Sequence, residues 1–208
     1  MSEDVPGPSL SADCEQVKSR APRADSQRNL RALLEAALAL FRTSGVDAPV
    51  REIADKAGVG VGTLYRHFPQ RADLVIAVFR KEIDACADAA PELAKAHSPG
   101  EALELWLQRY LDFINTKRGL ATALHSGNPA YGQLPAYFPK RLLPALQGLL
   151  EAAAQAGEAR ADVDAGDLLE AVASLARLTS GDDTTQARRM VSLLVDGLKF
   201  GAAGRTSP

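Results

Sequence analysis

The chain is poor in aromatic residues, at 5%, and carries one Trp and two Cys among its 208 residues. Two cysteines, Cys14 and Cys86, make neither a disulfide framework nor a zinc constellation. They read as unpaired thiols in a reducing cytoplasm. Histidines number only three, His67, His97 and His125. No Ser-His-Asp order, metal-spaced cluster, phosphate loop or paired-carboxylate motif accompanies them. The ingredients of an enzyme site are missing, and no cofactor or metal is expected. Long apolar runs are missing as well. The longest stretch without Lys, Arg, Asp or Glu, residues 119–139, contains three prolines and cannot span a membrane. Residues 1–11 include Glu3, Asp4 and two prolines, and lack the apolar centre of a signal peptide. A cytoplasmic protein without a membrane partner is expected.

What remains is ordinary globular material, 46% hydrophobic and 24% charged, which excludes wholesale disorder. The net charge of −2 hides an asymmetry. Between Lys18 and Lys81 stand twelve Lys and Arg against six Asp and Glu, a balance of +6 that leaves −8 for the rest. A basic front and an acidic back suggest two jobs on one chain, the front meeting a polyanion. Scattered solvated cations would give the same count, so position must decide.

Residues 1–24 show no sustained apolar period and read as a flexible arm, basic at Lys18, Arg20 and Arg23. Helical spacing then begins. Leu30, Leu33, Leu34, Ala37, Leu38 and Phe41 recur at three- and four-residue steps, with Asp25 or Ser26 as N-cap and Gly45 as terminator. Residues 50–57 and 61–68 predict two short helices, and 70–90 a longer amphipathic one. Pro91 and Ser98-Pro99-Gly100 punctuate the chain before a strong helix over 101–116. A short helix over 119–126, a helix interrupted or kinked by Pro139 and Pro144 over 134–155, and two last helices over 165–180 and 184–201 complete the pattern. Asp183 is a plausible cap for the last. No segment alternates long enough to demand a strand. The expectation is an all-α chain of about nine helices: a front domain over 25–70 and a larger back domain over 71–208.

Residues 50–68 carry the informative pattern. Ala54 is small where two helices cross closely, and Gly58, four residues on, permits a sharp turn. Val59 and Leu64 plug the angle between the helices, and Phe68 ties the second back to the core. This is the anatomy of a helix-turn-helix, whose second helix enters a major groove about 12 Å wide. An Ala-x-x-x-Gly pair alone is weak evidence; two short flanking helices and a basic surround strengthen it. Gly58-x-Gly-x-Gly also mimics a phosphate loop, but no strand precedes it. The rival is an all-helical ligand- or protein-binding module without specific DNA binding, which leaves the basic, motif-bearing front unexplained.

The run Gly58-Val-Gly-Val-Gly-Thr-Leu-Tyr-Arg-His-Phe-Pro-Gln-Arg-Ala-Asp-Leu74 resembles the signature of TetR-type transcriptional regulators, over residues 26–79. Two departures stand out: Gly60 where the family usually carries a capping Ser, and Arg71 where it usually carries Lys. The resemblance implies that 61–68 is the recognition helix. Thr63 then touches a base edge, and Val61 and Gly62 allow close backbone approach. Tyr65, His67 and Arg71 donate to phosphates, Arg51 faces the groove edge, and Arg28 meets the DNA backbone. Tyr65 could equally be core, and Arg66 could serve either role.

The resemblance further implies a homodimer on a palindromic operator and a back domain that binds a small-molecule effector, so that a repressor is released from its DNA. Leu168, Val172, Leu175, Val191, Leu194, Val195 and Leu198 form apolar stripes suited to the dimer interface, and equally to the chain's own core. Trp106, Arg109, Tyr110, Phe113, His125, Tyr137 and Phe138, with Tyr131, gather the middle aromatics and two polar groups into a candidate pocket. At helical spacing the same rings also serve as plain core.

Overall fold

A computed structural model describes residues 14–116, 129–132, 134–178 and 185–203. Among these residues stand eight α-helices, one 3-10 turn and no strand. The helices are α1 (Cys14–Ser44), α2 (Val50–Ala57), α3 (Val61–His67), α4 (Arg71–Ala96), α5 (Pro99–Thr116), α6 (Leu134–Gln155), α7 (Ala165–Leu178) and α8 (Thr185–Ala203). The turn spans Pro129–Tyr131. The expected short helix over 119–126 and the Asp183 cap lie outside the described residues. None of the described helices is long and apolar enough to cross a membrane.

Several boundaries differ from the sequence expectation, and each has a cause. Helix α1 starts at Cys14, so Asp25 and Ser26 lie inside it rather than at its cap. The apolar periodicity begins at Leu30, where the helix joins the front core. Helix α4 runs through Pro91 to Ala96. A proline removes one ladder bond and crowds the carbonyl four residues back. Burial of Ala87 and Ala90 on one side of Pro91, and packing of Leu93 on the other, keep the helix continuous. Likewise α6 passes Pro139 and Pro144 uninterrupted, held by Leu142, Leu146, Leu149, Leu150 and Ala153. Pro99 opens α5 at the position where its missing N–H costs nothing.

Two cores organise these helices. The front core gathers Leu33, Ala37 and Phe41 of α1, Ile53 and Ala54 of α2, Leu64 of α3, and Phe68. It continues past residue 70 into Leu74, Val75, Val78 and Phe79 of α4, and also takes in Leu134 at the start of α6. The back core takes Ile83, Cys86, Ala87 and Ala90 from the same α4 and packs them with α5 to α8. One helix thus belongs to both cores.

A polar contact closes the far end of the back core. Glu158, between α6 and α7, accepts from the Gly100 backbone N–H at 2.6 Å and from the Ser98 hydroxyl at 3.2 Å. Its carboxylate sits on the free amides that begin α5. Glu158→Ala is therefore expected to lower the unfolding free energy by about 1 kcal/mol in urea titration. A midpoint and slope equal to wild type would show that this contact contributes nothing.

Candidate nucleic-acid interface

Helix α2 ends at Gly58 in the left-handed region, φ 69° and ψ 28°, where its N–H donates to the carbonyls of Ala54 and Asp55. The Val59 N–H also returns to Ala54, at 3.0 Å, tightening the turn. Two residues later Gly60 stands as the N-cap of α3, extended and lending no side chain to the helix start. The Gly60 carbonyl still accepts from Thr63 at 2.8 Å. Space around Gly60 is open, with nothing within 4 Å of an added Cβ. Gly60→Ser is expected to stabilise the chain by a few tenths of a kcal/mol, because the hydroxyl supplies the missing acceptor. Thermal melts that show a lower midpoint for the Ser variant would refute that cap assignment.

Only one side of α3 is buried. Leu64 is 2% exposed and Phe68, just beyond the helix, 6%, both in the front core. Tyr65 is 51% exposed, so its ring is not core. Gly62 and Arg66 are exposed, while Val61, Thr63 and His67 are half-buried. Arg51, on the first turn of α2, is exposed too. Arg28 is exposed and pairs at 3.5 Å with Asp25 one turn back on α1. The motif residues therefore share one local unit, with Gly62, the Tyr65 phenol and the Arg66 guanidinium of α3 exposed to solvent.

Arg71 departs from its expected place on a phosphate. Its Nε donates to the Val46 carbonyl at 2.7 Å, and Nη2 reaches the carbonyls of both Val46 and Ala48. The side chain is half-buried and ties the start of α4 to the α1–α2 loop. These carbonyls have no helix partner of their own, so the guanidinium supplies what the loop backbone lacks. Nearby, the Gln70 N–H donates to Asp73 Oδ2 at 2.9 Å and caps α4. Arg71→Ala is expected to cost about 1.5–3 kcal/mol of stability while leaving the salt slope of DNA binding unchanged. A stable variant whose slope falls by one unit would return Arg71 to the phosphates.

In the back domain, the middle aromatics pack on one another. Trp106 and Tyr110 are 0% and 1% exposed, with ring centroids 5.8 Å apart and planes within 10°. Phe138 lies 6.1 Å from Tyr110 and 6.0 Å from Phe113. The Trp106 indole N–H donates to the Cys86 carbonyl at 2.9 Å, and burial raises the Tyr110 phenol pKa above its ordinary range. Trp106 and Tyr110 are buried in the back core. Of the expected pocket residues, Arg109 and Phe113 border a cleft between α1, α4 and α5. His125 lies outside the described residues. Tyr131 packs instead on the front core.

Tyr137 belongs to a bracket that sequence reading missed. Its hydroxyl donates to Asp84 at 2.7 Å, and the bond to that carboxylate raises the phenol pKa. Arg141 spans Asp84 and Asp88 at 2.7 and 2.8 Å, and Arg80 lies 5.1 Å above the Tyr137 ring. The spacing of Asp84 and Asp88 and of Tyr137 and Arg141, four residues in each case, was the available signal. The expected dimer stripe also needs correction. Val172, Val191 and Val195 are 0% exposed within one chain, and Leu168 and Leu198 are 4% and 7%. They pack in the intramolecular core. Leu175 and Leu194 are only half-buried, and Leu193, which sequence reading passed over, is 70% exposed.

A bent pair of short helices on a three-helix core, joined by a shared helix to an all-α body, defines a DNA-binding helix-turn-helix regulator. The chain belongs to the TetR family of bacterial transcriptional regulators. The profile of bacterial regulatory proteins of the tetR family matches residues 33–78, and that of the SbtR-like transcriptional regulator C-terminal domain matches 98–200. The TetR regulator SCO0520 of Streptomyces coelicolor is similar at 39% identity and a TM-score of 0.71, over 81% of this chain and 97% of that one. A TetR regulatory protein from Mycobacterium vanbaalenii follows at 35% identity and 0.68, over 85% and 98%. HTH-type regulators of Staphylococcus aureus are 31% identical over 51% of this chain, a match spanning 58% of their own length. Bacillus subtilis FadR, crystallised with stearoyl-CoA, shares the fold at 20% identity and a TM-score of 0.62, over 83% of this chain and 98% of that one. These are families of regulators, not of enzymes.

Proposed function

We propose that the protein binds a palindromic operator as a homodimer and that a small molecule releases it, so that it acts as a repressor. The observation that carries the DNA reading is the solvent-facing side of α3, where Gly62, Tyr65 and Arg66 stand together above a buried Leu64. Gly62 lets the backbone approach the base edges, and Thr63 supplies a hydroxyl and a methyl for them. Tyr65, Arg66, His67, Arg51 and Arg28 supply phosphate donors. Arg71 drops out of that set because its guanidinium holds the α1–α2 loop.

Leu193, with half-buried Leu194 and Leu175, gives α7 and α8 an uncovered apolar side for a second copy. A two-fold axis would set the two recognition helices about one helical turn apart, near 34–36 Å. Helix α4, shared by both cores, would carry a ligand's effect to that spacing. The complex of FadR, which shares the fold, with stearoyl-CoA supports a ligand in the back domain.

The test is binding to an operator selected from random duplexes, with mass measured in parallel. Thr63→Ala is expected to relax base preference by about 1–3 kcal/mol. Arg66→Ala is expected to weaken all sequences alike and to flatten the salt slope by about one unit. A strictly monomeric protein without sequence preference would overturn the reading.

A further inference from the structure

Where α1 ends against α4 and α5, a cleft of about 190 Å³ opens beside Arg42, Glu82, Ala85, Arg109, Asp112 and Phe113. Its walls come from the last turn of α1, the middle of α4 and the second half of α5. The charges around it do not balance. Arg42 faces Glu82 at 3.8 Å, and Asp112 is held by Arg188 from α8. Arg109 is exposed, and among the described residues it has no ion-pair partner. Among the described residues, three guanidinium groups stand against two carboxylates beside the cleft, a surplus of one positive charge.

We infer that this cleft binds a small organic monocarboxylate, its acid group on Arg109 and its apolar body between Phe113 and Ala85. A guanidinium presents a planar fork that matches a carboxylate through two parallel bonds. A single negative charge cancels the surplus, whereas a cation would meet Arg42 and Arg109, and a neutral molecule would leave Arg109 unpaired. Size agrees. A cavity of about 150 Å³ holds benzene, so one of this volume accommodates a ring with an acid group. The site deepens the effector reading and rests on it for any regulatory role, because its walls come from α1, which packs in the front core, and from α5, which packs in the back core. A bound acid shared between Arg42 and Arg109 would fix the end of α1 against α5.

The probe is benzoate, titrated by calorimetry into the full chain without DNA, with benzamide as its neutral counterpart. Benzoate is expected to bind, and benzamide at least about tenfold more weakly. Arg109→Gln, a change at the surface, is expected to lose about tenfold in benzoate affinity. Ala85→Leu, which fills the cleft, is expected to abolish binding, with helical content checked by circular dichroism. Equal binding of benzamide, wild-type affinity in Arg109→Gln, or no benzoate binding at millimolar concentration would each overturn the site. Operator titration with and without benzoate separates the two readings. Binding that leaves operator affinity unchanged supports the site and removes its regulatory role.

Discussion

The architecture depends on one helix being buried in two places. Leu74, Val75, Val78 and Phe79 at the front of α4 are at most 2% exposed in the core that holds the helix-turn-helix. Two turns on, Ile83, Cys86, Ala87 and Ala90 are sunk into the back core. Close-packed cores resist continuous deformation, so the front cannot tilt without disturbing one of the two packings. Leu134 and Tyr131 add a second strut, since the start of α6 packs on the front core while the rest of that helix belongs to the back. The exposed side chains of α3 are thus positioned by a rod anchored at both ends.

Polar contacts hold that rod at fixed points. At its start, Arg71 fixes the α1–α2 loop through backbone carbonyls. At its middle, Asp84 and Asp88 receive Arg141 and Tyr137 from α6. The bonds of Arg71 and those to Asp84 are half-buried and charge-assisted, which makes them stronger than exposed pairs such as Lys95 with Glu92. They also demand one register between α4 and α6, since Arg141 reaches two carboxylates a helical turn apart only when the two helices are aligned. Apolar packing sets how close the helices lie, and the bracket sets their slide.

Much of this was legible in the sequence. The all-α class, the two short helices and the Gly58 turn follow from periodicity and from a residue suited to positive φ. Both are local properties. Helix ends were less legible. Pro91 reads as a stop because its local cost is large, and only burial on both sides of it outweighs that cost. The start of α1 was not legible because residues 14–24 show no sustained apolar period.

What the sequence by itself determined is which segments are helices, which residue makes the turn, and which face of each helix is apolar. Only the tertiary structure decided what covers those faces. Val172, Val191 and Val195 look like an interface on a helical wheel and prove to be the chain's own core, while Leu193 faces solvent. Arg71 looks like a phosphate ligand and proves to be a loop clamp. Trp106 and Tyr110 look like a pocket and stack on each other in the back core. A pattern fixes the direction of a side chain from its own backbone, but its partner comes from residues far away in the chain. The physical reason is that hydrophobic burial is non-directional: it rewards any apolar cover equally, and only the packing of whole helices selects one.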